Sequence, residues 1–264
     1  YKRIYYKLRP QEKPRTMKDV LFIVGSNLPQ VKRFRVDHQM EQLISNGLSA
    51  ECKADNFLNF DDIKYYRCFV FCRYPYTQFA EQFIKNAKSF NKTIIFEIDD
   101  LVFDKNITSK IVTVASMDVQ DRALYDSGVE RIQNTLQLCD YAITTTEPLK
   151  YQIQKYKNIK DIYVNRNVAS DKMIEISNKC IKNINRKSKF VTLGYFSGSI
   201  THNEDFEYIL PDIIKLMEKY DFVRLKIVGI LKDFDELSKF GERVQKINFL
   251  NWKDLPKEIR ECDI

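Results

Sequence analysis

Short apolar runs alternate along this chain with longer stretches in which apolar residues recur every three or four positions. Residues 20–25 (VLFIVG) are the first such run, closed by Gly25, and have the pattern of a parallel strand buried on both faces. Behind it, Val36, Met40, Leu43 and Ile44 fall at helical spacing within residues 34–46, and Gly47 supplies a C-terminal stop. The pattern then predicts strands over 48–53 and 68–73, followed by a helix capped by Thr77. Phe79, Ala80, Phe83, Ile84, Ala87 and Phe90 form its apolar stripe, and a strand over 93–98 comes next. A helix over 129–139, a strand over 141–146, a helix opened by Pro148 and a strand over 162–165 complete the series. Strands alternating with helices in this way predict a parallel sheet wrapped on both faces with right-handed crossovers, a Rossmann-like unit.

A polar helix over 171–184 and the polar residues 185–189 then interrupt the pattern, which places a domain boundary near residue 187. The alternation restarts with a strand over 190–196, a helix over 203–220, a strand over 224–229, a short helix over 234–240, a strand over 244–249 and a helix over 255–261. Pro211 is expected to break or kink the longest of these helices, because it lacks the N–H its turn requires. A further strand opens at Cys262, Asp263 and Ile264, and the chain starts at Tyr1, so it reads as part of a longer protein.

Composition adds two constraints. The 264 residues are 44% hydrophobic and 30% charged with only seven Gly and seven Pro, a globular balance with room for two domains. No apolar run has the length of a membrane span, and no signal-peptide pattern opens the chain, so a cytoplasmic protein is expected. The net charge of +7 is concentrated at the start, where residues 1–19 hold seven Lys or Arg and two acids. A nucleic-acid-binding domain spreads its basic residues over a folded face, so this distribution predicts a basic arm or linker, and no nucleic-acid partner. Such an arm can touch an anionic membrane surface. Cys52, Cys68, Cys72, Cys139, Cys180 and Cys262 lack metal-ligand spacing and read as free thiols.

The most chemically informative stretch is residues 190–208, FVTLGYFSGSITHNEDFEY. Val191, Leu193 and Tyr195 alternate with Thr192, Gly194 and Phe196 as a strand. Ser197, Gly198 and Ser199 then admit close approach to the backbone, and Asn203 precedes Glu204 and Asp205 as a candidate N-cap. A strand, small-residue loop and helix start aim free N–H groups and a positive dipole end at one place, which suits a phosphate. Asp99 and Asp100 close the strand over 93–98, at the carboxyl edge where open parallel sheets receive ligands, or else serve as a cap or surface turn. Glu97, inside that strand, is a candidate buried partner for a basic residue. Arg35 and Arg73 have the fork geometry that grips a diphosphate, with a solvated surface role as the alternative. His202 sits where a donor to phosphate is useful, or is a solvated turn residue, and His38 is expected on the polar side of its helix. Neither first strand is followed by G-x-G-x-x-G, which argues against a dehydrogenase.

Several segments in order resemble the GT-B glycosyltransferases, most closely the bacterial family-4 type (group 1) that builds cell-surface polysaccharides. They are FRVDHQMEQLISNG, FEIDDLVFD, ITTTEPLKYQIQKY with IYVNRNVAS, GYFSGSITHNEDF and LKIVG, within residues 20–264. The resemblance implies an α/β GT-B fold of two Rossmann-like domains with parallel sheets, the second incomplete. It assigns residues 20–187 to the acceptor side and 188–264 to the nucleotide-sugar donor. It implies a metal-independent enzyme with no cofactor, using a nucleoside-diphosphate sugar as donor and a surface glycan or lipid-linked glycan as acceptor, in the cytoplasm or at the inner face of the membrane. Ser197, Gly198, Ser199 and His202 would hold the donor phosphates, Asp99 and Asp100 the reacting centre, Arg35 and Arg73 the acceptor or cleft, and Asn251 and Trp252 the nucleobase. For Trp252 a cap on the core is the alternative. The family's pair of donor-gripping glutamates lies beyond the strand that opens at Cys262, so this chain alone is expected to be inactive. A non-catalytic subunit of the same fold, binding glycan or steadying a partner enzyme, is the alternative.

Overall fold

The computed structural model describes residues 16–25, 29–181 and 189–264. The chain divides into two compact units, Tyr1–Val168 and Ala169–Ile264. Residues 1–15 of the expected basic arm and the expected junction at 187 lie outside the described residues, while Lys18 and Asp19 already belong to the first strand. Helix α5 (Asp171–Ile181), expected to precede the boundary, belongs to the second unit, where it packs against α7 (Leu255–Arg260).

The first unit is built on six parallel strands: β1 (Lys18–Val24), β2 (Ala50–Ala54), β3 (Tyr66–Cys72), β4 (Thr93–Glu97), β5 (Tyr141–Thr144) and β6 (Asp161–Val164), in the order β2-β1-β3-β4-β5-β6. The central strands read as unbroken apolar runs because both faces are covered. Leu21, Ile23, Phe69, Phe71, Ile94 and Phe96 pack on one face against Ala80, Phe83, Ile84 and Ala87 of α2 (Gln78–Ser89). Phe22, Val70 and Cys72 pack on the other against Val31 and Val36 of α1, a helix over residues 29–45. Each Val, Leu, Ile or Phe side chain so removed from water contributes about 1.5–3 kcal/mol. Thr77 accepts from Ala80 N–H as the cap of α2, as its sequence position predicts. In α1, Lys32–Asp37 is π-helical and His38–Ser45 is α-helical, and Gly47, at φ +80, ends it.

One departure has a local cause. Helix α3 runs from Val119 to Leu138, well ahead of the expected start at 129, because Asp118 caps it through the N–H groups of Gln120 and Asp121. Its first half exposes Val119 and Leu124 and so carries no apolar stripe to read. Glu147–Ile153 forms α4, with Pro148 in its first turn as expected.

The second unit has three parallel strands, β7 (Val191–Ser197), β8 (Val223–Gly229) and β9 (Val244–Ile247), in that order. The long helix α6 (Asn203–Lys219) covers one face through Phe206, Leu210 and Met217. It continues through Pro211, so the break, one of the two expected outcomes, does not occur; the proline is on the exposed side, where the carbonyl it leaves unpaired is open to solvation. On the opposite face the buried Lys226 of β8 pairs with Glu258 at 2.9 Å and Glu261 at 2.5 Å. Beyond α7, Gly194 N–H donates to Ile264 O at 2.8 Å and Ile264 N–H to Thr192 O at 3.3 Å, the pairing of a parallel ladder on β7, although residues 262–264 do not form the expected strand.

Candidate functional site

Parallel strands bring their carboxyl ends to one edge, and in the first unit that edge gathers most of the charged candidates. Arg73 follows β3 directly with φ +43, a left-handed conformation that costs a non-glycine residue about 1–2 kcal/mol. Its N–H donates to Glu97 O at 2.9 Å, and its side chain donates to Asp99 Oδ1 at 2.7 Å and Asp100 Oδ2 at 3.2 Å. Burial works against the guanidinium charge, but the two carboxylates more than offset it and hold its pKa above the ordinary value. Arg73, Asp99 and Asp100 are therefore one cluster. Its outer carboxylate, Asp100, is 60% exposed.

Arg35 does not reach outward. It is 1% exposed, and its Nε donates to Glu97 Oε1 at 2.6 Å while Nη1 donates to Asn165 O at 3.0 Å and Asn167 Oδ1 at 2.8 Å. The second oxygen of Glu97 accepts from Cys72 Sγ at 3.0 Å. Burial pushes the Glu97 carboxyl up to about 7; Arg35 and the Cys72 thiol pull it back, and Asp99 adds to the rise. Arg35 thus ties α1 to the end of β4 and to the segment leaving β6. His38, expected on a solvated side, is buried edge-on to Phe34 at 5.3 Å. Its ring hydrogen-bonds the Val168 backbone, and desolvation, followed by Arg33, holds its pKa below the usual histidine range. The sequence flagged Glu97 as a buried partner but gave no sign of Asn165 and Asn167, whose contribution is one backbone carbonyl and one amide. Beside them, Thr145, Thr146, Glu147, Pro148, Arg166 and Asn167 line a cavity of about 470 Å³.

In the second unit, Ser197, Gly198, Ser199 and His202 lie together between β7 and α6. Ser197 is buried; its Oγ lies 2.6 Å from Ile230 O and 3.0 Å from Ser199 O, and donates to the nearer. Its side chain thereby joins two loops, and its carbonyl accepts from Ile230 N–H at 3.1 Å. A Cβ at Gly198 would meet no atom within 4 Å. His202 pairs with Asp205 at 2.9 Å, and its carbonyl accepts from Tyr195 OH at 3.2 Å. Asn203 is the first residue of α6 rather than its cap, and its Oδ1 accepts from Lys232 N–H at 3.1 Å. Asn251 Oδ1 accepts from Lys253 N–H and its carbonyl from Asp254 N–H, so this residue shapes the turn into α7. Trp252, half-buried, has Lys253 Nζ 5.9 Å from its ring centre. Among the described residues no three His, Cys, Asp or Glu are grouped as a metal site, and no helix is long and apolar enough to cross a membrane.

No protein-family model matches the chain, and no curated protein matches it in sequence. Solved structures match it in fold. A Listeria monocytogenes protein assigned as a UDP-N-acetylglucosamine 2-epimerase gives a TM-score of 0.56 at 12% identity, over 94% of this chain and 73% of that one. HepE from Anabaena, in complex with UDP and glucose, gives 0.50 at 13% identity, over 93% and 73%. The chain has an α/β fold of GT-B type, with parallel sheets of six and three strands.

Proposed function

We propose that this chain belongs to a glycosyltransferase that moves a sugar from a nucleoside-diphosphate sugar to a bacterial cell-surface glycan or its lipid-linked form. The observation that carries the reading is the turn between β7 and α6, where small residues, an open Gly198 and the start of a long helix present backbone N–H groups to an anion. Ser197, Gly198, Ser199 and His202 would hold the diphosphate, and Asn251 and Trp252 the base. HepE, solved with UDP and glucose, supports this class of donor for the fold. In transfer, the bond from the anomeric carbon to the acceptor oxygen forms as the bond to the diphosphate breaks. The acceptor hydroxyl gives up its proton to a carboxylate of the Asp99–Asp100 pair, and the diphosphate departs with the electron pair of the broken bond. Asp99 and Asp100, aligned by Arg73, are the groups for the acceptor side. Arg35 is given a positioning role behind them.

One observation favours a second reading, a non-catalytic subunit that binds glycan: both candidate arginines are committed to internal carboxylates. Thermal unfolding of the full-length protein with UDP, dTDP, GDP, CMP and their sugars separates the two. A ligand at about 100 times its Kd adds about 2.7 kcal/mol. Stabilisation by one nucleotide, lost in Gly198→Val, supports the donor site, and the mass of a glycan extended by one sugar, as opposed to an epimerised donor, identifies transfer. No response to any nucleotide by the folded protein rejects the transferase reading.

A further inference from the structure

The cavity of about 470 Å³ beside Asn167 is walled by polar groups of both kinds, donors and acceptors, and none of them is assigned to the transfer itself. Thr145 and Thr146 reach it from the turn after β5, and Arg166 and Asn167 from the segment leaving β6. Thr146 Oγ1 is engaged, accepting from Leu149 N–H at 3.3 Å as the cap of α4. Thr145 is only 6% exposed, yet its hydroxyl has no hydrogen-bond partner among the described residues, and unlike that of Thr144 it is not sealed into the core. Asn167 is fixed from behind. A guanidinium only donates, so the amide oxygen must face Arg35 Nη1, which leaves Nδ2 as a free donor on the other side of the amide. Arg166 and Glu147 bring opposite charges to the same cavity, and among the described residues neither is in an ion pair.

This set selects against an ion. A phosphate drawn by Arg166 meets the carboxylate of Glu147, and a cation drawn by Glu147 meets the guanidinium. A sugar hydroxyl suits both, since it donates to the carboxylate and accepts from the guanidinium, the amide and Thr145. Pro148 adds an apolar wall for the C–H face of a ring. Water fills such a cavity until a polyol replaces it hydroxyl for hydroxyl, which keeps the hydrogen bonds. The volume falls within the range of small-molecule sites. Position supplies the rest. Strands β4, β5 and β6 are parallel neighbours, so the ends of β5 and β6 lie about 5–10 Å along the carboxyl edge from the end of β4 that carries Asp99 and Asp100. That is the reach of the adjoining residue in one glycan chain. We propose that this cavity is a second acceptor subsite, holding a neutral pyranose residue next to the one that receives the transferred sugar, so that the acceptor is an oligosaccharide and not a single sugar. The placing of the first residue at Asp99 and Asp100 rests on the transferase reading; the saccharide chemistry of the cavity does not.

The test is binding in the absence of donor, on the full-length protein with threonine methyls labelled for NMR. The probes are the methyl glycosides of glucose, galactose, mannose, rhamnose and N-acetylglucosamine, and the homodisaccharide of each. At least one disaccharide is expected to shift the Thr145 and Thr146 methyls together and to bind about tenfold more tightly than its monosaccharide, the net worth of one or two hydrogen bonds. Arg166→Met and Thr145→Val should each narrow that difference, and the double variant should erase it. Equal affinities for every pair, shifts confined to residues outside the cavity, or no shift with any probe up to its solubility limit would overturn the proposal, and none of these requires a variant to fold. Inorganic phosphate or magnesium moving the same methyls while every saccharide leaves them unmoved would give the cavity to an ion and also overturn it. The two readings fail separately. A disaccharide that binds here yet is extended with no nucleotide sugar removes the transferase reading and leaves a glycan subsite, whereas extension of a monosaccharide with the same KM as its disaccharide removes the subsite alone.

Discussion

Replacing Arg35 with methionine keeps most of the side-chain volume and removes the counter-charge of Glu97, and its effect on stability is expected to grow with pH. In the native chain the carboxyl is fully buried and titrates near 7 instead of 4.5. Between those values the folded state holds a proton that the unfolded state has released, so stability falls as pH rises through the window, by about 3 kcal/mol at about 1.4 kcal/mol per pH unit. Without Arg35 the carboxyl rises further, and each added unit extends the loss above pH 7 by about 1.4 kcal/mol. At pH 5.5, where Glu97 is protonated with or without Arg35, the variant loses chiefly the bonds to Asn165 and Asn167, about 1–3 kcal/mol. At pH 8.5 it has broken a buried ion pair, and the loss should reach about 3–5 kcal/mol. Hydrogen exchange of β1, β3 and β4, corrected for the intrinsic pH dependence of exchange, reads the stability of the first unit directly. Equal losses at both pH values would refute the assignment of Glu97 as a buried, near-neutral-titrating partner.

Three further outcomes are expected. Phe83, ringed by Phe60, Phe69, Phe71 and Phe79, should cost about 3–5 kcal/mol on truncation to alanine, read by circular dichroism. Gly229→Ala, which places a Cβ 1.9 Å from Ser197 O at φ +108, should destabilise the second unit by about 3 kcal/mol or more, while Gly198→Ala stays within about 0.5 kcal/mol; Trp252 emission follows both. Asp99→Asn removes a like charge and should lower the titration midpoint of Glu97, measured by carboxyl carbon NMR.

Strands were the most legible part of the sequence, because a strand covered on both faces admits little besides apolar side chains, and runs such as 68–73 carry that constraint openly. The start of α3 was hidden, since an exposed helical half has no periodic stripe and its one signal, Asp118, is common in turns. Pro211 causes no break for a related reason: a lost hydrogen bond breaks a helix only where nothing else serves the freed carbonyl. For the site, residue type identified the charged candidates, and Glu97 was marked as a buried partner. What periodicity could not convey was direction. Arg35 and His38 both point inward, because the π-helical turn of α1 changes the face on which its residues fall. The partners Asn165 and Asn167 act through a main-chain oxygen and a short amide, which any loop residue resembles.

The two loops at the carboxyl edge of the smaller sheet are fastened at several points: Ser197 Oγ to Ile230 O, Ile230 N–H to Ser197 O, and Lys232 N–H to Asn203 Oδ1. Gly229 lies so close to Ser197 O that no side chain fits between them. Loops cross-linked in this way share their motions, and the entropy of fixing the 197–203 turn is largely lost when the unit folds. An anion arriving there would find the turn already set, and less of its binding energy would go into ordering the backbone.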